Sequence, residues 1–591
     1  MLQPIYTEVS NCRNCHKCIR ECPIKAIKVK DNKAVIVTER CIFCAKCIDV
    51  CPNGAKKLRN DVKKVEALIE SKKRVFVSLS PSSIAEFDKN KEALLVALKK
   101  LGFSEISETS IGDSIVSMCI KREMDECDDV FSKISTSCPS VVELIKKYYP
   151  NLTESLSNIP SPLQCHSAYL KHLYGDDIAI VYIGPCVSKK LEADYTPGYP
   201  DVALTFKELR EWFFEKNIDL DAIKKDIDEG KETIPDFVPK KAGIALLSVL
   251  SGGTVASLKS KKNGKKLSES SIFISGSEAI KEVFDTYENC GYIETLFCDQ
   301  GCINGPGCDE RRSIAKKKML TLQSVNKRLE ENDDLFVPPE SFVDDVINKG
   351  YGILNTFNIK GNEKSIWQKF SDAQTKGALK ILGKESIEDE YNCGGCGYNT
   401  CRDMAEAFLA GMAEPNMCVI KNNAEIHNKL TMLLKTIPVS TAIVNNKFEI
   451  VDCNSEFVKN FTNFKIEDDN TNLVVGLSIT DFIPYPELFK NQLILKTKTV
   501  EDHLSVNDRI FKTTLFTIEE NALVGVLLED ITSPTMQRET VIKNAEEVIK
   551  HSLSTVQTIA SLLGENAAET EIMLNSMIEA FSPQKGESKD E

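Results

Sequence analysis

The spacing of its cysteines constrains this chain more than any other feature of the sequence. Sixteen of the 22 cysteines fall into four groups, and the first two groups repeat the pattern C-x2-C-x2-C-x3-C-P. The groups are Cys12, Cys15, Cys18 and Cys22; Cys41, Cys44, Cys47 and Cys51; Cys138, Cys186, Cys298 and Cys302; and Cys393, Cys396, Cys401 and Cys418. Thiolates at such short spacings can converge on one iron–sulfur cube. The chain is therefore predicted to carry a series of electron-transferring centres.

Size and charge narrow the classes of function. A length of 591 residues predicts about four domains with several buried cores. The formal net charge of −13 argues against nucleic-acid binding, because phosphate contact requires a basic face. No stretch approaches the roughly 20 apolar residues that span a bilayer, so no membrane contact is expected. The first residues lack an export-signal pattern, and clustered cysteines favour reduced thiolates, so we expect a cytoplasmic location.

The two amino-terminal groups match the bacterial ferredoxin signature, in which the fourth cysteine of each run binds the other cluster. Cys51 is thus predicted to join the first three cysteines of the first run, and Cys22 those of the second. Each set would hold one [4Fe–4S] cluster. Zinc is the alternative, since it also binds paired C-x2-C units. His16, between two ligands, is predicted to be an exposed polar residue.

Strand and helix patterns alternate from about residue 74 to residue 375. Short apolar runs predict buried strands at 74–79, 178–183 and 242–247. These runs end near loops that contain glycine or cysteine. The alternation predicts α/β layers whose loops carry the chemistry.

Residues 74–310 resemble the H-cluster domain of [FeFe]-hydrogenases. Three loops in the family's order and four further segments carry the resemblance: Thr136-Ser137-Cys138-Pro139, Gly184-Pro185-Cys186-x2-Lys189, Cys298-x3-Cys302, Ser80-Pro81-Ser82, Leu144–Pro150, Ser161–Gln164 and Ser251-Gly252-Gly253. The resemblance implies that Cys138, Cys186, Cys298 and Cys302 bind a [4Fe–4S] cube and that Cys302 also bridges to a two-iron subsite. It further implies that Ser80, Pro81 and Ser82 contact this H-cluster.

Lys189 lies where the family's lysine donates a hydrogen bond to a cyanide ligand of the two-iron subsite. A cation–anion hydrogen bond in a dry pocket is strong enough to fix the orientation of such a ligand. The alternative is a solvated surface lysine without a role in binding.

The chain departs from the catalytic pattern of the family at several positions. Catalytic members carry two adjacent cysteines in the first loop, where this chain has Ser137 at the proton-relay position before Cys138. Of the glutamates that relay protons in catalytic members, only one has a plausible match in this chain, which is Glu123. A positioned proton donor contributes roughly 10²–10⁴-fold in rate, so hydrogen binding with slow turnover is expected. Gly184 and Leu296 stand where methionines are common, so the packing around the two irons should differ.

The fourth cysteine group is predicted to form a small [4Fe–4S] module, in which glycines let the backbone approach the cluster closely. Zinc is a stronger alternative here than at the amino terminus. Residues 430–532 then resemble a PAS domain, through the segments 441–451, 452–457 and 530–532. No PAS cofactor is assigned, and His503 is predicted to lie on the surface of a strand.

The last part is predicted to be helical to about residue 581, followed by a disordered polar tail. Ile542, Ile549, Val556 and Leu563 recur every seven residues, which gives one seam of a helix. This helix would pair with a second copy of the chain or pack on the PAS domain, and neither is favoured. His551 on the same helix is interpreted as a solvated residue.

The predicted fold is multidomain, α/β and α+β. Its parts are a ferredoxin-like 2[4Fe–4S] domain (1–60), a two-lobed α/β hydrogenase H-cluster domain (73–375), a small Fe–S module (376–425), a PAS domain (428–535) and terminal helices with a tail (536–591).

The resemblance favours a hydrogen- or redox-sensing [FeFe]-hydrogenase of low activity. A redox partner such as ferredoxin, and a separate kinase, phosphatase or regulator, are the expected partners. The alternatives are a bidirectional catalytic hydrogenase, with an unconventional proton path through Ser137 or Cys119, and an electron-transfer scaffold with only a cube at the central site.

Overall fold

The computed structural model describes residues 3–557 apart from 72, 127–131, 259–260, 263–264, 267–270, 288–290, 309–312, 332–333, 350–369, 463–472, 495–498, 507–508, 520–521 and 533–541. Leu563, the end of the predicted terminal helix and the polar tail lie outside the described residues, as do Cys127 and Cys290. The chain divides into two compact units, Met1–Asn422 and Asn423–Glu591.

The first unit begins with two small antiparallel pairs of strands that frame the first eight cysteines. Strand β1 pairs with β4, and β2 pairs with β3. A short helix follows within each cysteine run. The elements are β1 Ile5–Thr7, α1 Lys17–Glu21, β2 Ile27–Lys30, β3 Lys33–Ile36, α2 Lys46–Asp49, β4 Lys56–Leu58 and α3 Val62–Glu70.

Two parallel sheets organise the next part of the first unit. One has the strand order β6-β5-β8-β9 and the other β12-β13-β7. Strands β5, β8 and β13 are buried along their whole length, as central strands of a parallel sheet covered on both faces should be. The strands of these sheets are β5 Val75–Leu79, β6 Glu105–Glu108, β7 Lys133–Ile134, β8 Ala179–Gly184, β9 Val202–Thr205, β12 Ser271–Ser275 and β13 Tyr292–Leu296. Strands β10 Lys261–Lys262 and β11 Lys265–Lys266 form a separate antiparallel pair.

Helices cover these sheets and connect their strands. Several begin at capping boxes that satisfy their first backbone N–H groups, for example Ser161 with Gln164 and Thr205 with Glu208. The helices are α4 Ser83–Phe87, α5 Lys91–Lys100, α6 Ser110–Glu126, α7 Pro139–Tyr148, α8 Pro162–Tyr174, α9 Lys189–Tyr195, α10 Phe206–Glu215, α11 Leu220–Asp228, α12 Gly253–Ser257, α13 Ser277–Asp285, α14 Ile314–Glu330 and α15 Glu340–Lys349.

The predicted strand at 242–247 is wrong. This segment leads into a 3-10 helix, Ile244–Val249. At the start of the segment, side chains instead of a neighbouring strand satisfy the backbone of Ala242: its N–H donates to Glu108, and its carbonyl accepts from Arg328 at 2.9 Å. A short apolar run has the same burial in either conformation, so periodicity could not distinguish them.

The first unit ends with the fourth cysteine group. Helices α16 Asp372–Ile381 and α17 Cys401–Leu409 pack together, and α18 Val419–Thr436 starts directly after the last cysteine of the group. Capping boxes at Ser371 and Thr400 define the starts of α16 and α17.

The second unit is built on one five-stranded antiparallel sheet in the order β15-β14-β18-β17-β16. Its elements are β14 Ser440–Asn445, β15 Ile450–Cys453, α19 Ser455–Phe461, α20 Pro486–Ile494, β16 Thr499–Val506, β17 Arg509–Glu519 and β18 Leu523–Asp530. Phe457, Phe489 and Phe511 are fully buried in its core. The sequence predicted the bounds of four of these strands and gave none for β16, although it placed His503 on a strand. It also placed the first turn too early, because Phe448 lies in the turn with a φ of 65°.

A helix over residues 542–557 follows, and all of its side chains are exposed. The described residues of this helix therefore do not pack on the sheet. Among the described residues, no helix is long and apolar enough to cross a membrane.

Candidate metal centres

The two amino-terminal cysteine groups meet crosswise. Burial raises the pKa of the Cys18 thiol to about 11, and the charges on Cys12, Cys15 and Cys51 contribute to the rise. Burial raises the pKa of Cys41 to about 12, with a contribution from the charge on Cys22. The fourth cysteine of each run thus lies with the first three of the other, which is the grouping that two cubes require.

Each amino-terminal loop enters the left-handed backbone region on both sides of its second cysteine. Asn14 and His16 have φ values of 52° and 57°, and Phe43 and Ala45 have 57° and 61°. A non-glycine residue in this region costs roughly 1–2 kcal/mol, so the repeated strain must be held in place by its surroundings.

Backbone N–H groups of this domain point at cysteine sulfurs. The pairs are Ala26 to Cys22, Ala34 to Cys12, Phe43 to Cys41 and Ala55 to Cys51, with nitrogen–sulfur distances of 3.2 to 3.4 Å. Hydrogen bonds to cluster sulfurs set reduction potentials, so the loops fit a redox cluster and not only a structural ion.

The topology of two sheets brings the third cysteine group together. Cys138 follows β7, Cys186 follows β8, and Cys298 and Cys302 follow β13. Strands β7 and β13 are neighbours in one sheet, and β8 lies in the other. Loops at the carboxyl ends of parallel strands are where α/β folds place their binding sites, and here four thiols share one such place.

Burial dominates the electrostatics of this central group. It raises the pKa of Cys138 to about 11, with a contribution from Cys186, and the pKa of Cys302 well above its usual range. Four mutually repelling thiolates need a compensating positive charge, which an iron cluster supplies. The Cys298 thiol also responds to the charge of Cys44, so the second amino-terminal group adjoins the central group.

Lys189 begins α9 and is only 7% exposed, so the alternative of a solvated surface lysine is wrong. Its Nζ lies 2.5 Å from Glu192 Oε2 and 3.2 Å from Ser161 Oγ, and Ser161 donates to the same carboxylate. The charge of Lys189 partly opposes the rise that burial causes in the pKa of Cys302. Sequence reasoning missed Glu192, although its spacing of three residues along the helix is the signal for such a pair.

The loop Ser80-Pro81-Ser82 follows β5 and is buried. The Ser80 N–H donates to the carbonyl of Ile183 at 2.9 Å, which ties this loop to the strand that leads to Cys186. Ser82 Oγ and Gln164 Nε2 are buried and have no hydrogen-bond partner among the described residues. Orphaned polar atoms of this kind fit a polar group bound beside them.

Tyr182 is a second residue that sequence reasoning missed, because it lies inside an apolar strand pattern. A Cβ added at Gly184 would overlap the Tyr182 hydroxyl. Burial and the charges of Cys186 and Cys302 raise the pKa of this phenol, which hydrogen-bonds Ser80. The tyrosine therefore fills the space that a side chain at position 184 would take.

Ser137 directly precedes a cysteine of the central group, and its Oγ accepts a hydrogen bond from Ser135 Oγ at 3.0 Å. Ser135 in turn hydrogen-bonds the phenol of Tyr292.

Cys119 lies on α6 in a different core cluster from Cys138, and burial raises its pKa to about 12. Burial also raises the pKa of Glu123. A thiol with such a high pKa is a weak proton donor at neutral pH.

Two buried acids near the central group were not predicted. Burial raises the pKa of Asp113 to about 7, against the effect of a hydrogen bond with Ser248 and the charge of Lys189. Burial raises the pKa of Glu294 to about 7 as well, although its Oε2 accepts from Val255 N at 2.9 Å. Glu294 lies within a largely apolar strand, where a lone acid gives little information from the sequence.

The fourth cysteine group lines one small pocket with Tyr398, Thr400 and Met404. Burial raises the pKa of the Cys396 thiol, and the charges of Cys418 and Cys393 contribute. In the described ranges, no three His, Cys, Asp or Glu side chains are placed to hold a single metal ion. Four thiols around one pocket are the donor set of an iron–sulfur cluster.

His16 is buried, with 9% of its surface exposed, which corrects the prediction of an exposed residue. Its Nε2 lies 3.0 Å from Asn14 Oδ1, and the ring hydrogen-bonds the backbone of Gly395. Burial lowers its pKa. The fourth-group loop that covers it is almost 380 positions away in sequence, so no local pattern could reveal the contact. His503, in contrast, is exposed on β16 as predicted.

Three family models match the chain. Residues 73–306 match the iron only hydrogenase large subunit, C-terminal domain; residues 4–52 match a 4Fe-4S dicluster domain; and residues 389–420 match a model for an Fe-S cluster. Together these segments contain all sixteen cysteines of the four groups.

Two curated relatives are hydrogenases. Iron hydrogenase 1 of Clostridium pasteurianum is 25% identical over an alignment of 297 residues that covers 41% of this chain and 51% of that protein. The NADP-reducing hydrogenase subunit HndD of Solidesulfovibrio fructosivorans is 24% identical over an alignment of 302 residues, which again covers 41% of this chain and 51% of that protein. The chain thus spans about half the length of the curated relatives it matches.

Among solved structures, [FeFe]-hydrogenase HydA1 from Chlamydomonas reinhardtii is similar at 16% identity and a TM-score of 0.36, over 49% of this chain and 94% of that one. A PAS domain of an HTR-like protein from Haloarcula marismortui is similar at 19% identity and a TM-score of 0.16, over 19% and 97%. The family matches and the geometry of the cysteine groups support an [FeFe]-hydrogenase-type H-cluster domain at residues 73–306, accompanied by a 4Fe-4S dicluster domain and a further Fe–S region.

Proposed function

We propose that this chain is a cytoplasmic hydrogen- or redox-sensing [FeFe]-hydrogenase that oxidises hydrogen and reduces protons slowly and reversibly. The observation that carries the proposal is Ser137, whose hydroxyl stands directly before a central cysteine where catalytic relatives have a thiol. The proposed cofactors are an H-cluster at the central group, two [4Fe–4S] clusters at the amino-terminal groups and one at the fourth group.

The protein's own residues would hold and orient the two-iron group at Cys302. When bound, this group supplies the hydrogen chemistry, in which one hydrogen molecule yields two protons and two electrons. Lys189 presents a buried cation, and a charge-assisted hydrogen bond from it would fix an anionic ligand. The unpartnered Ser82 hydroxyl offers a further hydrogen-bonding group.

A serine at position 137 supports slow turnover. A hydroxyl is a far weaker acid than a thiol, and a positioned proton donor is worth roughly 10²–10⁴-fold in rate. The Ser137 hydroxyl is hydrogen-bonded to the hydroxyl of Ser135, so this hydrogen bond does not supply a stronger acid in place of the missing thiol. Slow turnover is a defect in an enzyme for energy metabolism, but a sensor needs only binding and a redox response.

The second unit supports a signalling role, because it resembles a PAS domain and follows the fourth cysteine group along the chain. Moving a two-state switch from 1:99 to 99:1 needs about 5.5 kcal/mol of differential coupling. About 0.24 V acting on one electron supplies that amount. The proposed partners are a redox protein such as ferredoxin and a separate kinase, phosphatase or regulator, with pairing of two copies through the terminal helix.

A bidirectional catalytic hydrogenase is equally compatible with the family matches. It would move protons through Ser137 or Cys119, and the burial of Cys119 with a pKa near 12 disfavours the second path. An electron-transfer scaffold with only the central cube is the third candidate. The buried Lys189–Glu192 pair and the unpartnered Ser82 hydroxyl disfavour it, because a cube bound only by thiolates does not need them.

The test is an infrared spectrum of the protein loaded with a synthetic two-iron cofactor, recorded under argon and then under hydrogen. Carbon monoxide and cyanide bands that shift reversibly, together with slow hydrogen evolution, are the expected result. Bands with fast turnover would establish the bidirectional enzyme instead. If no bands form while the clusters are intact, the scaffold is the correct function.

A further inference from the structure

We propose that His16 and Tyr398 hold the fourth cysteine group against both amino-terminal groups, so that clusters bound at these three places are electronically coupled. A cluster at the fourth group would then belong to the same electron-transfer chain as the clusters of the ferredoxin-like domain, and the fourth group would not be a separate structural module. The inference deepens the proposed function, because it names where a redox signal leaves the hydrogenase part. It requires the clusters but not the two-iron group.

The first contact joins one ligand loop directly to another. His16 follows Cys15, and its ring hydrogen-bonds the backbone of Gly395, which lies between Cys393 and Cys396. Arg20 strengthens the same contact, because its Nη2 donates to the carbonyl of the preceding glycine, Gly394, at 3.1 Å. A residue beside one cluster ligand therefore touches the loop between two ligands of another cluster.

Gly397 shows how closely the two loops approach. It has a φ of 92°, and a Cβ added there would lie 3.0 Å from Ile19 Cβ, 3.1 Å from the His16 carbonyl oxygen and 3.2 Å from Arg20 N. Only a glycine combines this backbone conformation with so little space. The fourth group is thus fitted to the start of α1 at the distance of direct backbone packing.

Tyr398 connects the fourth group to the second amino-terminal group. It is 3% exposed, and the charges of both Cys396 and Cys22 raise its pKa, after burial. Cys22 is the cysteine that crosses over to the second set. The Tyr398 hydroxyl has no hydrogen-bond partner among the described residues, so packing of the aromatic ring accounts for the position of this side chain.

Lys25 fixes this aromatic ring from the amino-terminal side. Its Nζ lies 6.0 Å from the centre of the Tyr398 ring and donates to the carbonyl of Gly397 at 3.1 Å. It also donates to the Ile19 carbonyl at 3.0 Å. One ammonium group thus bridges backbone atoms of α1 and of the fourth-group loop.

A second set of contacts keeps the module from rotating about these loops. Val29 N donates to the Met412 carbonyl at 3.0 Å, and Asp31 N donates to Glu414 Oε1 at 2.9 Å. The cysteines of the first, second and fourth groups, except the exposed Cys15 and Cys393, also lie in or against one hydrophobic core. Because this core is continuous, the separations between the three sites are fixed by packing.

The coupled arrangement ends at a helix. Cys418 is the last ligand of the fourth group, and its carbonyl accepts from Asn422 N at 2.8 Å in the first turn of α18. A change of charge at this thiolate acts on the amino-terminal end of that helix, where negative charge is stabilising. Helix α18 is the segment that connects the first unit to the second along the chain.

The experiment uses the full chain reconstituted with iron–sulfur clusters but without the two-iron group. Electron paramagnetic resonance is recorded after full reduction, because reduced clusters close to one another broaden and split each other's signals. The Cys393→Ser variant removes the fourth-group cluster, and its loss is verified by iron content. The expected result is that the signals of the remaining clusters become narrower. If these signals are unchanged and only an independent component disappears, the proposal is wrong.

Two pairs of variants test the contacts themselves. Gly397→Ala is compared with Gly411→Ala, since Gly411 also has a positive φ of 67° but open space around its Cβ position. Tyr398→Leu is compared with Tyr398→Phe, which keeps the ring. The first variant of each pair should retain its iron and lose coupling, and the second should match the wild type. Equal coupling within both pairs would overturn the assignment, whatever the infrared experiment shows for the two-iron group.

Discussion

At the scale of single residues, Ser137 is the position where the sequence departs most clearly from the catalytic pattern. Ser137→Cys places a thiol next to Cys138, and a thiol with an ordinary pKa near 8.5 is a far better proton donor than a hydroxyl. We expect hydrogen evolution by the fully loaded protein to rise, by roughly 10-fold or more out of the 10²–10⁴-fold that a positioned donor can contribute.

Ser137→Ala is the matched control for this prediction, because it changes the volume little and supplies no proton donor. Its rate should not exceed that of the wild type. A Ser137→Cys protein with full cofactor content and an unchanged rate would show that proton delivery does not limit turnover.

Lys189 and Glu192 form a buried pair whose two roles can be separated. Lys189→Met leaves the Glu192 carboxylate buried without its cation, and breaking such a pair costs about 3–5 kcal/mol of stability. The double variant with Glu192→Gln removes both charges, so thermal unfolding should return close to the wild-type midpoint. Infrared bands of the two-iron group should stay weak in both variants, because neither has the cation. Recovery of the bands in the double variant would count against a binding role for Lys189.

Glu294 should make stability depend on pH. Its pKa rises from an ordinary 4.5 to about 7 in the folded protein. The unfolded chain loses this proton at lower pH, so stability falls between about pH 4.5 and 7 and then levels off, by on the order of 3 kcal/mol in total. Glu294→Gln should flatten this fall, as measured by denaturant unfolding from pH 5.5 to 8. An identical slope in both proteins would mean that Glu294 ionises normally.

The sequence predicted the residues with strong local patterns and missed those defined by distant contacts. The crossed grouping of Cys51 and Cys22 followed from spacing alone. Tyr182 and Glu294 lie in strands whose apolar pattern hides a single polar residue. His16 was predicted to be exposed, because the residues that bury it are distant in sequence and no local pattern indicates them. Local spacing carries information about ligands, whereas burial depends on the whole fold.

At the scale of elements, the loop after β13 depends on one glycine. Gly301 has a φ of 103°, and a Cβ there would overlap the Val249 carbonyl oxygen. We expect Gly301→Ala to displace the loop that carries Cys298 and Cys302. The iron content should therefore fall by the central cluster, while the amino-terminal and fourth-group clusters remain.

Gly175 is the control for Gly301, because it has a φ of 90° but nothing within 4 Å of its Cβ position. Gly175→Ala carries the same kind of backbone strain without the overlap. Total iron and the resonance signals of the reduced clusters are the measurements. Full iron in Gly301→Ala would show that the loop can move without losing its cluster.

Elements with long or repeated patterns were predicted better than short ones. Strands β5 and β8 were placed within a residue or two, since each is a continuous apolar run between loops. The run at 242–247 is also apolar, but Glu108 and Arg328 satisfy the backbone of Ala242 and a 3-10 helix follows. No bounds were predicted for β16, because five of its eight residues are exposed and its apolar and polar residues do not alternate regularly.

At the scale of the whole molecule, the prediction of separate domains understates how the first unit is built. Residues of the ferredoxin-like part, the central part and the fourth-group module belong to one hydrophobic core. Cysteine spacing identifies each cluster site, but it carries no information on how the sites pack together. The shared core is therefore the main feature of the architecture that sequence could not supply.

The terminal helix carries the last prediction. Ile542, Ile549 and Val556 are 49%, 57% and 60% exposed, and they repeat at the seven-residue spacing of a helical seam. An exposed apolar stripe that does not pack on its own unit needs a partner, and a second copy of the chain carries the same stripe. We expect a dimer in analytical ultracentrifugation.

Ile549→Glu should weaken this dimer at least 10-fold, because each copy loses about 1.5–3 kcal/mol of side-chain burial. Ser554→Glu adds the same charge away from the seam and should leave the dimer intact. Equal weakening by both variants would exclude this stripe as the contact.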